Sequence, residues 1–173
     1  MAIKLIAMDV DGVLTDGSFW WGPNGEEWKR FHFADIMGLS RARKAGIKLA
    51  LISGEDSPLI DRLAAKMQIS DVEKSCKDKA RALQNIATLH NLELHEVCFM
   101  GDDVNDLPAL EIAGLAAAPA DAQPAIRAKC RFVSRARGGN GAVREAIEII
   151  LEARGFWPEI LKKYEIESAF DPS

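Results

Sequence analysis

Short apolar runs recur along the chain, and each ends on small or acidic residues. Ile3 to Met8 stops at Asp9, Lys48 to Ile52 at Ser53-Gly54, and Val97 to Met100 at Gly101-Asp102-Asp103. Short apolar runs bounded by turn-forming residues read as buried strands. Leu115 to Ala118 and Arg131 to Val133 are weaker strands of the same kind. Between them the pattern turns helical, at about residues 35–45, 58–68, 77–91, 105–113, 122–129 and 141–153. Ser57-Pro58 places a capping hydroxyl before a proline in the first helical position. Lys44-Ala45-Gly46 supplies a glycine stop to the preceding helix. Strands alternating with helices predict an α/β fold, a doubly wound and mainly parallel sheet with helices on both faces.

One segment, at about residues 17–33, breaks the alternation. Ser18-Phe19-Trp20-Trp21 and Glu26 to Phe33 flank the turn formers Gly22-Pro23-Asn24-Gly25, so a projecting β-hairpin is expected. Phe19, Trp20, Trp21 and Trp28 are too apolar to be left in water. They should bury against the chain's own core or against another subunit, and composition does not choose between the two. The 173 residues read as one domain, 1–153, followed by a tail, 154–173, that mixes aromatic and charged residues.

Composition narrows the function classes. There are 22 basic and 26 acidic residues, a net charge of -4, which argues against a nucleic-acid partner. No apolar run approaches the roughly 18 residues of a membrane span. The first residues meet an acid, Asp9, too early for a secretory signal. Cys76, Cys98 and Cys130 are odd in number and scattered, which suggests reduced thiols in a cytoplasmic protein.

The chemistry lies in the acids at the strand ends. Asp9 and Asp11 follow the first strand, and Gly12 lets the chain bend so that both can approach one ligand. Asp102, Asp103 and Asp106 follow the third. In a doubly wound sheet the carboxyl ends of neighbouring strands line one crevice, so the two groups should meet. Carboxylates gathered at one point repel unless a cation sits among them, and oxygen donors without imidazole or thiolate favour Mg2+. Ser53-Gly54 ends the second strand at the same edge, where a hydroxyl and backbone N–H groups suit a phosphate oxygen. Lys79 stands at a helix start, where a cation opposes the helix dipole, so a role beside phosphate is expected. Each feature alone is also an ordinary turn, cap or surface residue. Together they predict phosphoryl transfer, with Asp9 attacking phosphorus to form an aspartyl-phosphate. Asp11 would protonate the leaving oxygen and later deprotonate water.

These residues resemble the motifs of the haloacid dehalogenase superfamily of aspartate-nucleophile phosphatases. The matching positions are Asp9-Val10-Asp11-Gly12-Val13-Leu14-Thr15, Ser53, Lys79, and Gly101-Asp102-Asp103 with Asp106. The resemblance implies that Asp9 and Asp102 offer side-chain oxygens to Mg2+ and Asp11 its backbone carbonyl. Asp103 and Asp106 would then lie nearby, outside direct coordination. Only 44 positions separate Asp9 from Ser53 and 26 separate Ser53 from Lys79, which leaves no room for the cap domain many members carry.

Further stretches are similar to the 3-deoxy-D-manno-octulosonate 8-phosphate phosphatase family. They are Leu14 to Gly17, Asn24 to Phe31, Asp35 with Gly38, and Arg137 to Glu145. This implies a homotetramer with associating hairpins, C-terminal segments reaching toward adjacent sites, and a substrate role for Asp35. One position departs: Glu55 follows the second-motif glycine where octulosonate members usually carry arginine. That resembles the branch acting on nine-carbon 2-keto-3-deoxy sugar acids, the 9-phosphates of KDN or N-acetylneuraminate. Lys66 falls where that branch offers a lysine to a neighbouring subunit. The nine-carbon substrate is therefore preferred over the eight-carbon one, with Glu55 and Lys66 as substrate-binding candidates. Two other classes remain open at this point: a phospho-accepting receiver module and a catalytically idle oligomeric binding protein.

Overall fold

A computed structural model describes residues 2–156, so the expected tail lies almost wholly outside the described residues. Six strands form one sheet: β1 (Leu5–Met8), β4 (Lys48–Ile52), β5 (Asp71–Glu73), β6 (Val97–Met100), β7 (Leu115–Ala118) and β8 (Phe132–Val133). Their spatial order is β5-β4-β1-β6-β7-β8, and every pairing is parallel. The central strands β1 and β6 are buried on both faces, which is why they read as unbroken apolar runs.

Alternate residues of these strands feed two cores. Ile6, Met8, Leu49, Leu51, Cys98 and Met100 meet helices α1 (Phe33–Lys44), α2 (Pro58–Met67) and α6 (Ala142–Ala153) on one face. Leu5, Ala7, Ala50, Ile52, Val97 and Phe99 meet α3 (Lys79–Leu89), α4 (Leu107–Ile112) and α5 (Pro124–Arg127) on the other. The chain leaves β1 towards β4 and β5, then returns across the sheet to β6. That reversal puts a topological switch point between β1 and β6, at the carboxyl edge. No helix among the described residues is long and apolar enough to cross a membrane.

Several helices differ from the sequence reading, for local reasons. The expected 105–113 helix is split into a 3-10 turn at Val104–Asp106 and α4. Asp103 and Asp106 form a capping box on that turn, so the chain re-starts its helix at Leu107. The 77–91 helix begins at Lys79 because the Asp78 side chain accepts from the Arg81 N–H. The 122–129 helix shortens to the four residues of α5. The hairpin is short: β2 (Trp20–Trp21) pairs antiparallel with β3 (Glu27–Trp28). Its tryptophans do not pack on the chain's own core; Trp20, Trp21 and Trp28 are 63%, 74% and 54% exposed.

Gly138-Gly139-Asn140-Gly141 forms a packed turn before α6. A methyl group on Gly138 would run into the Gly12 carbonyl. The Gly139 N–H donates to Val13 O at 3.0 Å, which ties this turn to the loop after β1.

Asp35, expected to contact substrate, is instead part of the fold. It is buried in α1, and its two oxygens accept from the backbone N–H groups of Gly141 at 3.0 Å and Arg144 at 2.9 Å. Gly141 has no side chain with which to cap α6, so Asp35 caps it across the α1–α6 contact. Asp35→Ala should therefore lower unfolding stability by about 2 kcal/mol, leaving two buried N–H groups without an acceptor. Urea denaturation measures this as a lower midpoint at unchanged slope; an unmoved midpoint would remove the capping role.

Candidate active site

The register of the sheet brings the chemistry together. Met8 lies level with Leu51 on one side and Met100 on the other, so Asp9, Ser53 and Asp102 all emerge at the same edge. The Asp9 N–H continues the ladder by donating to Met100 O at 3.0 Å. Gly12 has a φ of +86°, and any side chain there would collide with the Asp102 carboxylate. The bare glycine lets the loop after β1 close over the loop after β6.

Lys79 organises the acids. Its Nζ lies 2.6 Å from Asp106 Oδ1 and 3.0 Å from Asp9 Oδ2, and all three side chains are buried. The other Asp106 oxygen accepts from the N–H groups of Asp102 at 2.9 Å and Asp103 at 3.3 Å. Asp106 thus holds both the lysine and the loop that carries Asp102. Burial pulls the Lys79 ammonium towards neutrality, but the Asp9 and Asp106 charges outweigh it and leave its pKa raised. Asp9 Oδ1 accepts from the Val10 N–H at 2.7 Å. Burial, reinforced by Asp106 and opposed by Lys79, lifts Asp9 to about 6. Burial and then the Asp9, Asp106 and Asp103 charges lift Asp102 to about 7.

Asp102 Oδ1 is buried with no hydrogen-bond partner among the described residues. A buried carboxylate oxygen without a donor is costly, and a bound cation removes that cost. Carboxylate oxygens of Asp9, Asp102 and Asp106 lie within 4.8 Å of one another. Both oxygens of Asp106 and both of Asp9 already accept hydrogen bonds, so Asp102 Oδ1 is the one buried oxygen of these acids shown without a partner among the described residues. An all-oxygen donor set of this kind fits Mg2+.

These groups open into a cavity of about 190 Å3 lined by Asp9, Asp11, Ser53, Gly54, Glu55 and Asp102, with Asp103, Asn105 and Phe19 at its walls. Ser53 is buried, and its hydroxyl accepts from the Glu55 N–H at 3.1 Å. Asp103 is exposed and caps its own 3-10 turn. Lys66 is not in this cavity. It lines a separate groove of about 400 Å3 with Trp28, Phe31, Phe33 and Arg62, where no acid gathers.

Two groups at the site escaped the sequence reading. Asn105 sits in the loop after β6. Lys29 follows β3, and both Asp11 oxygens accept from its Nζ, at 2.7 and 2.9 Å. Lys29 lies in the stretch Asn24 to Phe31 that carries the family likeness, and strand alternation turns it to the face opposite Trp28.

Comparison with known proteins agrees with this geometry. The family model for haloacid dehalogenase-like hydrolases matches residues 36–114. The 3-deoxy-D-manno-octulosonate 8-phosphate phosphatase of Escherichia coli K12 is 36% identical over 153 residues, covering 88% of this chain and 81% of that protein. The crystal structure of the Moraxella catarrhalis enzyme of that name, in complex with magnesium ion, phosphate ion and KDO, is also 36% identical. It superposes with a TM-score of 0.91 over 94% of this chain and 93% of its own. The cobalt-bound form of the corresponding Haemophilus influenzae phosphatase is 35% identical, with a TM-score of 0.87 over 90% and 91%. With a capless six-stranded parallel sheet, acids gathered at its switch point and relatives of this similarity along nearly its full length, the chain belongs to the haloacid dehalogenase-like hydrolases and is one of their phosphatases.

Proposed function

We propose that the protein hydrolyses the phosphate ester of a 2-keto-3-deoxy sugar acid through an aspartyl-phosphate on Asp9. The convergence of Asp9, Ser53, Lys79 and Asp102 at one sheet edge supports this reading, with the bare Asp102 oxygen as its main support. Asp9 is the nucleophile and Asp11 the general acid and base. Ser53, the Gly54 N–H and Lys79 receive phosphate oxygens. Asp9 and Asp102, with the Asp11 carbonyl, hold Mg2+, while Asp103 and Asp106 support them from outside. The ion, when bound, neutralises charge on the phosphoryl oxygens. Lys79 adds a buried positive charge on the same side, and Asp106 keeps it in place. The likeness to curated phosphatases over 88% of the chain disfavours a receiver module.

The curated relatives support the eight-carbon substrate, 3-deoxy-D-manno-octulosonate 8-phosphate. One observation favours the nine-carbon acids: Glu55, which departs from the octulosonate pattern, lines the cavity, and a carboxylate can accept hydrogen bonds from sugar hydroxyls. The same proposal includes a cytoplasmic location, a phosphatase domain over 1–153 with the remainder as tail, and a homotetramer joined through the exposed hairpin tryptophans.

A panel of sugar-acid phosphates against simple hexose phosphates, read by phosphate release, tests the substrate class; equal turnover of both would reject it. Asp9→Asn should lower turnover by at least about a thousandfold while leaving the fold intact. Retention of substantial activity would remove Asp9 as nucleophile.

Glu55→Arg should change the ratio of eight- to nine-carbon kcat/KM by about tenfold, equivalent to about 1.4 kcal/mol. An unchanged ratio would discard the specificity role.

The raised carboxyl groups set a pH dependence. Asp9 and Asp102 keep protons in the metal-free fold up to about 6 and 7, whereas unfolded aspartates lose theirs near about 3.9. The fold therefore binds more protons between these limits, and metal-free stability falls as pH rises through them. A metal ion needs the ionised forms, so its affinity rises over the same window. Magnesium should raise the Tm markedly at pH 8 and little at pH 5 in scanning calorimetry. An equal increase at both would contradict the assignment of these two acids as ligands.

A further inference from the structure

We infer that Lys29 is the positioning residue for Asp11, delivered to the active site by the hairpin. The inference rests on the phosphatase reading above and adds to it how the general acid is aimed. The Lys29 side chain is 0% exposed, although it follows a strand whose last residue, Trp28, lies open to solvent. Enclosing an ammonium is costly unless it is well paired. Its partners are few and specific. Both Asp11 oxygens accept from Nζ, at 2.7 and 2.9 Å, and Glu27 lies 3.8 Å away. The face of Phe19, from the other arm of the hairpin, covers the ammonium at 4.7 Å. Glu27 is anchored in turn, accepting from the Ser57 hydroxyl at 2.8 Å at the start of α2. The hairpin is thus tied to the body beside the site, and Lys29 is its contact with the chemistry.

Asp11 needs such a contact. It sits in a loop after β1, and its other side-chain neighbour, the Thr15 hydroxyl, is 3.5 Å away. In the transfer step a bond forms between an Asp9 oxygen and phosphorus while the bond from phosphorus to the leaving oxygen breaks. The proton on Asp11 passes to that oxygen. During this step one Asp11 oxygen carries the proton, and the other remains held by Lys29. In the structure Nζ spans both oxygens, and the oxygen it keeps when the other takes the proton holds the carboxyl plane beside the cavity that Asp9 and Asp11 line. A positioned acid of this kind contributes a rate factor that a freely rotating one forfeits.

The test separates positioning from folding by the leaving group. The magnesium-loaded parent and Lys29→Met are compared on the best alkyl phosphate of the panel above and on p-nitrophenyl phosphate. An alkoxide needs a proton to leave and p-nitrophenolate does not, and kcat/KM reports the steps up to transfer onto Asp9. We expect kcat/KM for the alkyl ester to fall about a hundredfold and that for the aryl ester less than about fivefold. In an Asp11→Asn background, Lys29→Met should cost nothing further on the alkyl ester, because the two residues act as one unit. Lys29→Gln, which keeps one N–H for Asp11, is read in the same way if the methionine variant fails to fold. Equal losses on the two esters, or an undiminished loss in the Asp11→Asn background, would overturn the inference. Collapse of both variants would overturn it too, leaving Lys29 as a folding residue. No turnover of either ester by the parent is a separate result, one that removes the phosphatase reading itself.

Discussion

A buried ammonium shared by two buried carboxylates holds the site of this protein together. Lys79 reaches from the first turn of α3 to Asp9 after β1 and Asp106 after β6, so one charge joins both sides of the switch point. The arrangement is not neutral. Asp9, Asp102 and Asp106 carry three negative charges if fully ionised, and Lys79 returns one. Burial first, and then this excess of negative charge, pushes Asp9 and Asp102 towards neutrality. A divalent cation supplies the missing charge and a partner for the bare Asp102 oxygen. The fold thus contains a local electrostatic deficit of the sign and size that a phosphoryl-transfer site resolves on loading.

The strands that build this edge were legible because their chemistry is local. Lys48–Ile52, apolar after its first residue, Val97–Met100 and Leu115–Ala118 are short apolar runs, and they occur in the structure with the same limits. Parallel register then does what a linear reading can anticipate, bringing their ends level. Helix limits were less legible where a side chain competes with the backbone. Asp78, Asp103 and Asp106 each move a helix start by capping, and capping is decided atom by atom.

The individual partners of the acids were less legible than their grouping. Asp35 and Asp106 look like any other acid at a helix start. One caps a helix that begins over a hundred residues later, and the other holds the Lys79 ammonium. Their partners are distant in sequence, and nothing in the spacing announces them. Lys29 shows the converse. A lysine between Trp28 and Arg30 reads as one more surface charge, and only the folded-back hairpin turns it inward to Asp11. Family likeness carried Asp35 into the substrate set, because likeness preserves a residue without saying what it touches.

The hairpin connects these points. Its outward face carries Trp20 and Trp28, paired across the two arms, while the other face carries Trp21, Glu27 and Lys29, with the Phe19 ring over the Lys29 ammonium. Strand alternation forces this division, since Trp28 cannot turn outward without sending Glu27 and Lys29 inward. The residues that meet the surroundings and those that hold Asp11 are therefore backbone neighbours. A capless phosphatase has no separate domain to shape the entrance of its cavity. Here a two-stranded insertion contributes one wall through Phe19 and steadies the acid through Lys29. An element only two residues long on each arm is too small to be stable by itself. The Lys29–Asp11 and Glu27–Ser57 contacts tie it to the body, so the bonds that hold the hairpin also hold the Asp11 carboxylate.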